Sequence, residues 1–121
     1  MPHCIIEHSD NIKDSISWDS IFKDLHKILV DTGEIKEANI KSRVIEHKNY
    51  FIGDGNPNQA FVTLNIQLLD GRSDEFKEDL AQSALKLLSK HFEKTFKELK
   101  TSLTVQITDI HRKSYDRKIY Y

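Results

Sequence analysis

Between residues 61 and 68 the chain alternates without a break. Val62, Leu64, Ile66 and Leu68 interleave with Phe61, Thr63, Asn65 and Gln67. Period-two alternation reads as a strand with one apolar face, and such a face must be covered by another layer. Asp70-Gly71 closes the strand. Ser73 is placed to cap a helix, with Asp74 and Glu75 in its first turn. Phe76, Leu80, Ala84, Leu87, Leu88, Phe92, Phe96 and Leu99 recur at helical spacing and predict one helix over that span. Residues 103–110 then alternate again, with Leu103, Val105 and Ile107 on one side.

The first half follows the same plan. Residues 2–8 read as a strand, and Ser9-Asp10-Asn11 as the turn after it. Ser17 caps a predicted helix to about Thr32, striped by Trp18, Ile21, Phe22, Leu25, Ile28 and Leu29. Gly33 supplies a left-handed residue at its end. A second strand is expected from Asn39 to about Glu46, with a possible extension to Ile52. The turn formers Gly53-Asp54-Gly55-Asn56-Pro57-Asn58 mark the midpoint.

The chain is therefore β-α-β twice over. Each crossover is long enough for a right-handed parallel connection. The expected class is α/β (α+β): a two-layer sandwich with a four-stranded mixed sheet and two helices on one face. At 121 residues, 1–121 form a single domain. The face carrying Phe61, Thr63, Asn65 and Gln67 is too apolar for water and too polar for a dry core, so it suits the interior of a symmetric oligomer. Residues 114–121, with three tyrosines beside Asp116, Arg117 and Lys118, read as an arm for a neighbouring subunit. With 18 basic and 19 acidic residues the charge is near balance, which argues against a general nucleic-acid surface. No apolar run is long enough for a membrane helix. The lone Cys4 forms no internal disulfide and fits a cytoplasmic protein. Six scattered histidines form no HExxH or tight Cys/His motif, so no metal is expected.

The chemistry starts at Pro2. A small second residue is the usual signal for removing Met1, and removal would leave a secondary amine at the chain's start. Such an amine can accept a proton or attack a carbonyl. With Met1 retained, the same nitrogen is an amide and not a base. Lys41 and Arg43 share a strand face. Arg72 sits at a strand-to-helix junction, where helix N–H groups also favour an anion. A terminal amine begins near pKa ~7.7–8.0. A partly dry pocket and adjacent cations lower that value and leave a neutral base near pH 7.

These residues carry a resemblance. Pro2-His3-Cys4-Ile5-Ile6-Glu7-His8-Ser9-Asp10-Asn11-Ile12 resembles the opening of the 5-carboxymethyl-2-hydroxymuconate isomerases, in the tautomerase superfamily with its macrophage migration inhibitory factor-like fold. Ile40-Lys41-Ser42-Arg43-Val44, Ala60-Phe61-Val62 and Gly71-Arg72-Ser73 resemble family segments in the same order. The resemblance implies a homotrimer with active sites near subunit contacts, and no cofactor or metal. It implies Pro2 as the acid–base residue, with Arg43 and Arg72 on substrate carboxylates or developing oxyanion charge. It implies interconversion of 2-hydroxymuconate-type dienols and 2-oxo isomers in homoprotocatechuate breakdown. Lys41 stands where the family pattern more often has arginine; it keeps the charge but not the bidentate fork.

The resemblance thus implies keto–enol or double-bond tautomerisation of 5-carboxymethyl-2-hydroxymuconate or a closely related unsaturated 2-hydroxy diacid, with Pro2, Arg43 and Arg72 catalytic and Lys41, Arg43 and Arg72 binding this small carboxylate substrate. Two alternatives are a tautomerase for another enol acid, such as phenylpyruvate, and a non-catalytic oligomeric module that binds a small ligand.

Overall fold

A computed structural model describes residues 1–120 of the chain. The elements run β1 (His3–Ser9), α1 (Trp18–Asp31), β2 (Lys41–His47), β3 (Gln59–Leu69), α2 (Asp74–His91), α3 (Glu93–Glu98) and β4 (Lys100–Ile110), with short 3-10 turns at Glu37–Asn39 and Arg112–Ser114. The sheet order is β2-β1-β3-β4. β1 pairs parallel with β2, β3 pairs parallel with β4, and the two units meet through antiparallel β1 and β3. The mixed four-stranded sheet expected from the duplicated plan is the one observed.

Alternation decides which side chains enter the core. Cys4, Ile6, Val62, Leu64, Ile66 and Leu68 are buried on one sheet face, against Ile21, Leu25 and Leu29 of α1 and Leu80, Ala84 and Leu88 of α2. Burying a side chain of this size contributes about 1.5–3 kcal/mol. Ser17 and Ser73 cap the two long helices as expected, accepting from Ser20 N and Phe76 N. Gly33 holds φ at +82°, the left-handed region that ends α1. The other sheet face carries Phe61, Thr63, Asn65 and Gln67, all part-buried and without a helix layer over them.

Two boundaries differ from the sequence expectation. The apolar stripe from Phe76 to Leu99 is not one helix: the chain bends at Phe92 (φ −112°, ψ 22°), and α3 starts afresh. The cause is remote in sequence. The Asp14 carboxylate accepts hydrogen bonds from Lys94 N and Thr95 N, both at 2.9 Å, and from the Thr95 hydroxyl. It thereby supplies acceptors for the free N–H groups of a new helix start. Phe92 stays fully buried across the bend, so the hydrophobic spacing continues while the helix does not. Leu99 is already extended. β2 begins at Lys41, after the turn over Glu37–Asn39, and ends at His47 without reaching Ile52.

Candidate active site

Topology gathers one end of the sheet. The start of β1, the start of β2, the end of β3 and the end of β4 all lie there. Pro2 is buried at this end, and its carbonyl accepts a 3.0 Å hydrogen bond from Lys41 N. That bond begins the β1–β2 ladder and fixes Pro2 beside the β2 entry. Arg72 arrives from β3 through Gly71, whose φ of +107° is a backbone conformation that side chains disfavour. The Arg72 guanidinium donates to the Leu69 carbonyl (2.9 Å) and lies 5.7 Å from the Phe76 ring centroid. Its Nε is buried without a hydrogen-bond partner.

Pro2 and Arg72 line one cavity of about 300 Å³, together with Met1, Glu34, Lys36 and Arg117 among others. A smaller recess of about 30 Å³ deepens it between Pro2, Leu68 and Arg72. The amine at the chain's start feels this surrounding directly. Burial, then the Lys41, Arg117 and Arg72 cations, hold the Met1 amine below its ordinary value of 8.0. Burial and like charge both penalise the protonated form. The ion pairs among the described residues include none of Lys36, Lys41, Arg72 or Arg117. Their positive field is therefore available to an incoming anion.

The predicted residues do not all meet. Pro2 and Arg72 share the cavity. Lys41 lies close enough to depress the Met1 amine, while its own ammonium donates to Asn39 O at 3.1 Å. Arg43 stands apart from the cavity lining, exposed on the open sheet face. Its guanidinium meets His3 Nδ1 at 3.2 Å. Burial, then Arg43 and Lys41, hold the His3 imidazole below 6.5, which keeps Nδ1 free to accept that bond. Lys36 and Arg117 were not predicted as site residues. Their one sequence signal was positive charge, which 18 residues of this chain share.

Other candidates have structural partners. His47 pairs with Glu7 at 2.8 Å on the open face. His8 stacks on Trp18 with centroids 5.3 Å apart. Cys4 is fully buried, and burial pushes its thiol up to about 11, so it is no nucleophile near neutral pH. Among the described residues no group of three His, Cys, Asp or Glu side chains converges to hold a metal, and no helix is long and apolar enough to cross a membrane. A larger cavity of about 420 Å³ lies between α1 and α2, but Asp31 and Asp79 line it beside Ile28 and Phe76. It has no lysine or arginine in its lining, whereas Lys36, Arg72 and Arg117 outnumber Glu34 in the Pro2 cavity, so the Pro2 cavity is the better site for an anion.

A duplicated β-α-β sheet with this end-on pocket has the tautomerase fold, and the chain is an isomerase of that class. The family model described as 5-carboxymethyl-2-hydroxymuconate isomerase matches residues 2–119, and the chain belongs to that family. It is 29% identical over 111 residues to the 5-carboxymethyl-2-hydroxymuconate Delta-isomerase of Escherichia coli, covering 92% of this chain and 88% of the relative. A crystal structure of a 5-carboxymethyl-2-hydroxymuconate isomerase from Deinococcus radiodurans R1 superposes with a TM-score of 0.88 at 25% identity, covering 97% of this chain and 88% of that one. A fused 4-OT wild type symmetric trimer has the same fold, with a TM-score of 0.74 at 17% identity over 95% of this chain and 90% of that one.

Proposed function

We propose that this isomerase tautomerises 5-carboxymethyl-2-hydroxymuconate, or a closely related unsaturated 2-hydroxy diacid, with the amine of Pro2 as the acid–base group. The observation that carries the reading is the shared cavity of Pro2 and Arg72 in a surplus of cations. Removal of Met1 turns the Pro2 nitrogen from an amide into a secondary amine. That nitrogen lies one residue further in, on a buried residue where Met1 is only half-buried. The same burial and charges then favour its neutral form.

Neutral Pro2 takes the proton from the substrate's 2-hydroxyl. The electron pair moves into the conjugated system and leaves a dienolate. Protonated Pro2 returns the proton to carbon at the far end of that system, giving the 2-oxo isomer. Arg72 holds the developing oxyanion or a carboxylate, because a guanidinium stays charged and presents a planar fork. Lys41 adds positive potential. Arg43 serves the substrate of a neighbouring subunit, since it sits on the open face away from its own Pro2 cavity.

The oligomer that this requires is a homotrimer. The D. radiodurans relative and the fused 4-OT trimer share the fold. The open face with Phe61 and the edge strands β2 and β4 offer unpaired surface to neighbours. Ile119 and Tyr120 are 51% and 81% exposed and fit an arm reaching the next subunit; Tyr121 lies outside the described residues. A cytoplasmic location, a role in aromatic-compound breakdown and the absence of any cofactor complete the reading. The protein's one thiol, in Cys4, needs no oxidising compartment.

The test uses two forms separated by intact mass, one starting at Pro2 and one keeping a residue ahead of it. General acid–base catalysis contributes roughly 10²–10⁴-fold. Ketonisation of 2-hydroxymuconate should fall by about that factor in the blocked form. Equal turnover by both forms overturns the mechanism.

A further inference from the structure

The tail after β4 does more than extend the chain. Asp70 and Arg112 clasp the strand end to the tail's beginning. Asp70 N donates to Ile110 O at 2.9 Å, and Arg112 donates through its guanidinium to Asp70 O at 2.8 Å. Arg112 N also donates to the Asp70 carboxylate at 3.3 Å. Asp70 directly precedes Gly71-Arg72, so this clasp couples the Arg72 turn to the tail. Five residues beyond Arg112, Arg117 lines the Pro2 cavity from the β2 side. Its guanidinium donates to Asn39 Oδ1 at 3.2 Å, at the turn entering β2. Arg117 thus shares one cavity with Pro2 and Arg72, exposed and outside the ion pairs among the described residues.

We propose that Arg117 is a specificity-determining residue of the active site, gripping the carboxylate of the substrate farthest from the reacting enol. This rests on the Pro2 tautomerase reading and deepens it. Arg72 stands at the β3 end and Arg117 at the β2 entry, with Pro2, just ahead of β1, between those strands. Arg117 supplies a second fork to the same cavity. Two guanidinium groups flanking one cavity suit a substrate with a carboxylate at each end. An enol acid with one carboxylate leaves Arg117 without a partner. The tail therefore selects for chain-spanning polyacids, and Asn39 is the positioning residue that aims it.

The experiment compares Arg117→Gln, Arg117→Lys and, as a control for lost tail charge, Lys113→Gln. Each is assayed on 2-hydroxymuconate, with two carboxylates, and on phenylenolpyruvate, with one. Loss of a charge-assisted contact predicts a rise of about tenfold or more in KM for 2-hydroxymuconate in Arg117→Gln. The KM for phenylenolpyruvate and the kcat for both should move by less than about threefold on the same account. Arg117→Lys should recover part of the loss, and Lys113→Gln should match the unmodified protein. Calorimetric binding of adipate against hexanoate gives a readout independent of catalysis. If the unmodified protein binds adipate without isomerising either enol, and Arg117→Gln loses that binding, the Pro2 mechanism fails while the role of Arg117 stands. Turnover of 2-hydroxymuconate with an unchanged KM in Arg117→Gln removes this role and leaves the mechanism intact. An equal loss on both enols also removes it. Neither isomerisation nor adipate binding by the unmodified protein ends both.

Discussion

The two ends of the sheet are built from the same kinds of segment, yet they spend their polar groups differently. At the far end, where β1 finishes and β3 and β4 begin, polar atoms are consumed internally. Asp14 binds Lys94 and Thr95, Asn11 donates to Gln59 O, and Ser9 accepts from Phe61 N. The Gln59 amide braces the loop through Ile52 O and Asp54. At the Pro2 end, Arg112 pairs with Asp70, but Lys41, Arg72 and Arg117 touch only carbonyl and amide oxygens and form no ion pair among the described residues. At the far end the Asp14 charge is taken up by N–H and O–H donors, which holds the structure together. Positive charge left over beside a cavity is what an acidic ligand can use.

Predictions that would break this contrast run from chemistry to stability. After the blocked N-terminus, the largest effect belongs to Arg72. Arg72→Ala should cost roughly 10²–10³ in kcat/KM, the scale of losing one oxyanion donor. Thermal unfolding should shift little beside that loss. A variant that melts early but turns over normally would make Arg72 a structural residue like Asp14.

The pH profile sharpens the same point. On the proposed mechanism the base works when neutral, so kcat/KM should climb as pH rises through the Pro2 amine's pKa and then level off. Burial and the Lys41, Arg117 and Arg72 cations lower the Met1 amine at this end, and the same surroundings should hold the midpoint below that of a short peptide beginning with proline. A midpoint equal to that of the short proline-initiated peptide, measured on the form starting at Pro2, would mean that the cations do not act on the amine.

The opposite end should answer to stability alone. Asp14→Ala removes a cap, worth about 0.5–2 kcal/mol, and should leave the kcat of folded protein unchanged. Chemical denaturation would read the first and steady-state assay the second. Burial raises the Asp14 carboxyl, but hydrogen bonds from Thr95 and Lys94 outweigh it and hold the group below 3.8. A depressed folded value means that its contribution is present above 3.8 and is lost as pH falls through the folded value. The unmodified protein should therefore lose more stability than Asp14→Asn on acidification below pH 3.8. The smallest effect concerns Cys4. With its thiol pushed up to about 11 in a closed core, it should resist alkylation at pH near 8 until the protein unfolds. Rapid labelling of folded protein would mean that the sheet's packed face opens.

Most of the fold could be read before any coordinates, because each signal was local. Alternation from Phe61 to Leu68 could serve only a half-buried strand, and Ser17 and Ser73 could be recognised as caps from their neighbours alone. The break at Phe92 escaped because its cause, Asp14, lies about eighty residues away, and helical spacing in Phe92, Phe96 and Leu99 continued through it. The site divided in the same way. Pro2 could be named as a candidate because a small residue after Met1 carries a chemical possibility of its own. Arg72 was legible from its place between Gly71 and a helix cap. Arg117 was one charged residue among many in a polar tail.

Sequence by itself determined the periodicities, the caps and the turn at the midpoint, since each depends on a few neighbouring residues. Tertiary structure decided which charges meet. Only the pairing of β1 with both β2 and β3, and the Asp70–Arg112 clasp, bring Pro2, Lys41, Arg72 and Arg117 to one end of the sheet. Electrostatic fields depend on distance through space, and no stretch of the chain records that distance.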